Sequence, residues 1–253
     1  MGRGSSKSGG GGGGGTKLAN TPSGMTYDQF MQLSEQERFD KIGDILDDPT
    51  IQVPDYLDGS DTTKVIYALG MNSKPTVVDD ATLDTLPGKE LYRTVYETGS
   101  MPPPSSDAIL DQIRNGDYTH MSGSGGSAHG RAIYFATDFT DSTDYGRGER
   151  NPQVMRAKIN PGAKIVSEST LYNQMNSKGM DARYRSTVNF GKKVVRDTDS
   201  MALYALSQGI DGWYSNTYTM MVNRGALTAS SQSKSIKSGR SYAQSWASAN
   251  NVK

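Results

Sequence analysis

There is no cysteine in this chain of 253 residues, and there are only two histidines, His120 and His129. The first absence excludes disulfide frameworks, thiolate zinc sites and cysteine nucleophiles; the second excludes a three-histidine metal centre. Long hydrophobic runs are missing as well, and none approaches the length that spans a bilayer. Neither sign of charge is in excess: 27 Lys and Arg balance 27 Asp and Glu, which argues against wholesale binding to nucleic acid or to an anionic membrane. No apolar stretch follows the basic start, so nothing there reads as a signal peptide. The expectation from these absences is a soluble, cytoplasmic protein that uses no metal.

Glycine, by contrast, is plentiful at one end. Gly9 to Gly15 form an unbroken run within a Gly/Ser segment almost devoid of apolar side chains. Such a segment cannot offset its ordering entropy, and residues 1–24 read as a flexible tail. "MGRGSS" matches the myristoylation pattern with Gly2 and Ser6 in place; inside a Gly/Ser tract the match is cheap, and the plain tail is preferred. At the other end, residues 228–253 are rich in Ser, Ala, Asn and Lys. No acidic residue follows Asp211, and Arg224, Lys234, Lys237, Arg240 and Lys253 are too dispersed to resemble a nucleic-acid reader. This segment too reads as a solvated tail.

Between the tails the rhythm changes once. Residues 25–85 carry helix signals: Thr26 with Gln29 and Ser34 with Glu37 are two capping-box patterns in succession, followed by the stripe Phe39, Ile42, Ile45 and Leu46. A further helix is expected from Ser60 to Leu69, closed by Gly70. From 86 to 227 short strands alternate with single helices. "LYRTVY" and "AIYFA" read as strands, "SSDAILDQIRNG" as a helix capped by Ser105 or Ser106, and "QVMRAKINPGAKIVSE" as two strands around an Asn-Pro-Gly turn. Helices are expected near Ser169 to Asn176 and Asp199 to Gln208, and "GIDGWYSNTYTMMVNRGAL" reads as a closing hairpin. Single helices interrupting strands, with several strands at the end, indicate an α+β fold and not a regular βαβ wind.

Several motifs fail their context. Gly123 to Ala128 matches Gly-x-Gly-x-x-Ala, but no buried strand precedes it and a strand follows it, the reverse of a dinucleotide fold. There is no phosphate-binding Gly-Lys-Ser/Thr loop and no Gly-x-Ser-x-Gly elbow. His120 and His129 lie in or beside a Gly/Ser loop, where an exposed polar role is preferred.

"HGRAIYFATDFTDSTDY", ending at Tyr145, does more. It resembles, without a gap, the central motif of the ADP-ribosyltransferase superfamily as written in poly(ADP-ribose) polymerases, Phe-Gly-Lys-Gly-Ile-Tyr-Phe-Ala-Asp-Met-x-Ser-Lys-Ser-x-x-Tyr. Upstream, "ELYRTV" resembles that family's first strand in the arginine form of many bacterial and phage-encoded members. Downstream, "GIDGWYSNTYTMMVNRGAL" resembles its closing hairpin. The three motifs occur in the family's order and span Lys89 to Leu227. The resemblance implies a split β-sheet domain preceded by a small helical region. It also implies NAD as substrate and an ADP-ribose acceptor of macromolecular size.

The residues then receive roles from the resemblance. Cleaving the nicotinamide–ribose bond passes through an oxocarbenium-like transition state, so nicotinamide must be held still, the phosphates clamped and the ribosyl cation favoured. Tyr145 would stack on nicotinamide, Ser142 would bond its carboxamide with help from the backbone of Thr94, and Tyr134 would form the opposite wall or contact the ribose. Arg93 would face the ribose and pyrophosphate, where its fork suits anions. Each has a structural alternative: Arg93 an ordinary strand arginine, Tyr134 a core residue, Ser142 a helix cap with Thr140 an equal candidate, and Tyr145 a packed helix residue.

Two departures bear on chemistry. The family's catalytic glutamate would fall at Thr217, which has no carboxylate; Glu97, Asp138, Asp141 and Asp144 are the candidates to replace it. Thr94 stands where a glycine is common, and its branched side chain would narrow the nicotinamide pocket. The leading expectation is mono-ADP-ribosyl transfer, with Arg93, Tyr134 and Thr217 at the catalytic positions. The alternative is a catalytically silent NAD-binding or interaction module, of a kind found in phage and mobile-element structural proteins.

Overall fold

Helices begin where a hydroxyl or carboxylate precedes an apolar stripe. In the computed structural model, which describes residues 21–55, 60–71, 74–97, 104–116, 132–146, 149–180, 187–190, 193–196 and 198–236, α1 (Tyr27–Met31) and α2 (Glu35–Asp47) each open with a reciprocal capping box, Thr26 with Gln29 and Ser34 with Glu37. Each box satisfies two otherwise orphaned N–H groups. Ser60 caps α3 (Asp61–Ala68), which closes on Gly70 at φ 61°. A Cβ at Gly70 would come within 2.7 Å of Thr21 Cγ2. Ser23 donates to the Ala68 carbonyl from its N–H at 3.1 Å and its Oγ at 2.6 Å. Residues 21–24, expected to belong to a flexible tail, are therefore folded onto α3. The Gly9 to Gly15 run, Gly2 and Ser6, the Gly123 to Ala128 motif, both histidines and residues 237–253 lie outside the described residues.

The remaining elements are β1 (Thr76–Val78), α4 (Asp80–Thr85), β2 (Glu90–Glu97), α5 (Ser106–Arg114), β3 (Ile133–Ala136), α6 (Phe139–Asp144), β4 (Arg150–Ile159), β5 (Ile165–Ser167), α7 (Glu168–Ser177), β6 (Thr187–Phe190), β7 (Lys193–Arg196), α8 (Thr198–Ser207), β8 (Gly212–Tyr214), β9 (Tyr218–Met221), a 3-10 turn (Arg224–Ala226) and β10 (Leu227–Ser235). The fold is mixed α+β. Eight strands form one sheet in the order β1-β10-β4-β2-β3-β9-β8-β5, while β6 and β7 form a separate antiparallel ladder.

The large sheet is uneven at its middle. β2 pairs with β4 from Glu90 to Glu97, and β3 pairs with β9 along its whole length, but β2 and β3 share the single pair Tyr92 and Ala136. The four strands β1-β10-β4-β2 and the four strands β3-β9-β8-β5 thus meet at a seam with almost no ladder.

Two expectations need correction. Residues 228–235, read as the start of a solvated tail, form β10 inside the sheet between β1 and β4. Their hydroxyls are compatible with burial because they are bonded: Thr228 Oγ1 donates to Asn160 Oδ1 and Ser230 Oγ to Asp80 Oδ1, each at 2.6 Å. The helical region is not set apart either, since Phe30, Ile42, Ile45 and Val65 share one core with Leu91, Phe135, Met155, Leu203 and Met221. The two strands expected around Asn160-Pro161-Gly162 are present as β4 and β5, each with other partners: β4 joins β2 and β10, and β5 runs parallel to β8. Among the described residues no helix is long and apolar enough to cross a membrane.

Candidate functional site

The seam between β2 and β3 gathers most of the residues singled out in the sequence. Side chains alternate across a strand. Tyr92 opposes Ala136 directly, so Thr94 on β2 shares the sheet face of Tyr134 on β3. α6 covers that face, with Phe139 edge-on to Tyr92 at 5.6 Å between ring centroids.

Asp138 fixes the start of α6 by accepting from the N–H groups of Thr140 at 2.7 Å and Asp141 at 3.2 Å. The cap is therefore neither Ser142 nor Thr140. Ser142 lies within the helix, 1 % exposed, with its Oγ 2.9 Å from Thr94 Oγ1. The methyl of Thr94 lies against Gly146 so closely that a Cβ there would stand 2.9 Å from Thr94 Cγ2 and 2.8 Å from Pro152 Cβ. Thr94 thus occupies space beside Ser142 that a glycine would leave open.

One turn further on, Tyr145 Oη lies 2.6 Å from Tyr134 Oη, with the rings edge to face at 5.1 Å. Tyr145 is 54 % exposed. Tyr134 also meets Tyr218 of β9, at 5.4 Å between centroids. Burial first, and then the bond to Tyr145, hold the Tyr134 phenol well above its ordinary ionisation range.

The structure brings Thr94, Tyr134, Ser142 and Tyr145 to one face of the seam. Arg93 goes elsewhere. It shares its side of β2 with Leu91 and Val95, both in the main core, and is 8 % exposed. Its Nη1 donates to the Tyr134 main-chain carbonyl at 2.8 Å. Burial, and next the neighbouring Arg224, push its guanidinium down to about 10. Thr217 is exposed just before β9, and its carbonyl accepts from the N–H of Thr137 at 3.1 Å, tying the ends of β3 and β9 together.

Of the candidate replacement carboxylates, Asp138, Asp141 and Asp144 lie on α6 or at its start and Glu97 lies on β2. Asp138 is engaged as the α6 cap, and Glu97 accepts from Asn151 Nδ2 at 2.8 Å at the far end of β2. Asp141 lies close enough to act electrostatically on Tyr134. A carboxylate that sequence reasoning overlooked also meets the aromatic cluster, through Tyr218. Glu168, the first residue of α7, accepts from Tyr218 Oη at 2.7 Å and from Tyr172 Oη at 3.4 Å. Burial and this carboxylate push the Tyr172 phenol up to about 12, and burial together with the bond to Glu168 raises that of Tyr218 further. Glu168 precedes Tyr218 by fifty positions, and no spacing rule connects them. Among the described residues no group of three or more His, Asp or Glu side chains could hold a metal ion.

Neither a protein-family model, nor a curated protein, nor a solved structure matches this chain.

Proposed function

We propose that the seam between β2 and β3 binds NAD and that the protein transfers single ADP-ribose units from it to a macromolecular acceptor. One observation carries the reading. A hydroxyl pair, Thr94 with Ser142, and a pair of tyrosines, Tyr134 with Tyr145, meet on one face at the place where the sheet loses its ladder. This combination suits a flat ring bearing an amide: aromatic surface for the ring and hydroxyls for the amide. The near-division of the sheet at one residue pair is also what the resemblance to ADP-ribosyltransferases leads one to expect of their split sheet.

Two steps follow from the geometry. The tyrosine rings are in direct contact, so nicotinamide enters by displacing Tyr145, whose exposed side chain is the freer partner. The carboxamide then exchanges with the mutual bond of Thr94 and Ser142. With the ring held there, the nicotinamide–ribose bond would cleave with its electron pair passing to the pyridinium nitrogen.

A second reading has its own support. Arg93 is turned into the core and Thr217 offers no carboxylate, as suits a module that binds NAD without cleaving it. Incubation with NAD labelled in the adenylate, alone and with cell lysate, separates the two. Nicotinamide release with transfer of label, reduced in Tyr145→Ala at limiting NAD, is the result expected. Binding without release favours the silent module, and absence of binding overturns both.

A further inference from the structure

We infer that Glu168 supplies the carboxylate that stabilises the ribosyl cation at this site, delivered through Tyr218 from α7 instead of from the strand position of Thr217. The inference rests on the proposed NAD-cleaving reading and adds to it the charged group that Thr217 cannot provide. Its geometry is a continuous chain of side chains. Tyr145 bonds Tyr134 at 2.6 Å, Tyr134 packs on Tyr218 at 5.4 Å between centroids, and Tyr218 donates to Glu168 at 2.7 Å.

The position has two physical reasons. β5 runs parallel to β8, with Ser167 level with Tyr214, so the helix that follows β5 starts beside the β8–β9 hairpin. Glu168 is the first helical residue there, at the N-terminal end of a ten-residue helix whose dipole favours a negative charge. Two phenols, Tyr218 and Tyr172, converge on one carboxylate oxygen, Oε1. They orient the group while leaving it half-exposed at the edge of the aromatic cluster. A carboxylate positioned in advance beside low-dielectric aromatic surface favours a developing cation far more than one in bulk water.

The chemistry balances without any further reagent. The C1′–N bond of NAD breaks and its electron pair neutralises the pyridinium, releasing nicotinamide. The oxygen of water, or of an acceptor, forms the new bond at C1′, and its proton passes to the carboxylate and then to solvent. Glu168 offsets the positive charge between these two events.

Glu168→Gln tests the assignment, because the amide oxygen can still accept from Tyr218 and Tyr172. Nicotinamide release from NAD should fall roughly a hundredfold or more, the loss typical of removing one preorganised electrostatic group. NAD affinity, read by calorimetry, should stay within about threefold, so that kcat falls and not KM. Adding Thr217→Glu to Glu168→Gln should recover at least a tenth of the wild-type rate. Where the Gln variant fails to fold, Glu168→Asp, which keeps the charge but withdraws it, should lose at least tenfold. Equal rates in wild type and the Glu168 variants overturn the assignment and leave the proposed function standing. A wild type that binds NAD but releases no nicotinamide overturns the assignment and keeps the site as a binding module. A wild type that does not bind NAD overturns the reading on which the assignment rests.

Discussion

Arg93 and Tyr134 are joined through the main chain: Nη1 of Arg93 donates to the Tyr134 carbonyl at 2.8 Å, across the β2–β3 seam. A side chain bridges strands that exchange almost no ladder bonds. This places a cation inside the protein, 8 % exposed and near a second buried arginine, Arg224, itself 1 % exposed. Burying charge in this way is costly unless it is well compensated.

Replacing Arg93 should therefore depend more on volume than on charge. Arg93→Met, which fills similar space without the cation, should lower the unfolding free energy by less than about 1.5 kcal/mol. Arg93→Ala, which leaves a void, should cost about 3 kcal/mol. Urea denaturation of both variants decides it. A loss for Met as large as that for Ala would show that the guanidinium bond outweighs packing at this position.

Gly146 is held to glycine by contact and not by backbone conformation. Its added Cβ would meet Pro152 Cβ at 2.8 Å and Thr94 Cγ2 at 2.9 Å. Gly146→Ala should destabilise by about 1–3 kcal/mol, and Thr94→Ser, which removes the opposing methyl, should restore part of that loss. Thermal melts of the single and double variants measure the coupling.

Alkali should unfold the protein earlier than its lysine content would suggest. The phenols of Tyr27, Tyr92, Tyr134 and Tyr218 are all raised, chiefly by burial, above the ordinary value of 10.0. The folded state keeps them protonated while the unfolded chain releases their protons near that value. Above it the unfolded state binds fewer protons, and stability falls as pH rises. Below it the contribution is fully present. Phenolate absorbance should lag behind that of free tyrosine until unfolding and then rise with the transition, and Tyr218→Phe should reduce the slope of stability against pH.

The outward ring of Tyr145 gives the most direct test of ligand contact. Tyr145→Phe keeps the stacking surface and removes only the 2.6 Å contact with Tyr134. On the proposed function it should bind NAD within about threefold of wild type, since stacking needs the ring face and not the hydroxyl. Tyr145→Ala should weaken binding roughly tenfold, within the usual range for one stacked ring. Calorimetric titration with NAD measures both, and equal affinity in the Ala variant would remove Tyr145 from the site.

Local chemistry made much of this fold legible. Capping boxes at Thr26 and Ser34 and the turn glycine at 70 act within a few residues of themselves, so the N-terminal helices could be placed from spacing alone. Composition misled where burial depends on distant partners. Thr228 and Ser230 look like tail residues until Asn160 and Asp80 accept their hydroxyls. The candidate site divides in the same way. Tyr134, Ser142 and Tyr145 lie within one strand–helix unit and could be grouped in advance, whereas the face to which Arg93 turns depends on its register against β3.

The sequence by itself determined the helix starts, the α+β character and the clustering of hydroxyl and aromatic groups around residues 134–145, because each follows from interactions between near neighbours. Only the tertiary structure decided that the sheet nearly parts between β2 and β3, that Arg93 is buried, and that Glu168 meets Tyr218 from another element. The physical reason is the order of the strands. A parallel pairing of β5 with β8 brings two segments together that no local rule relates, and with them a carboxylate and a phenol.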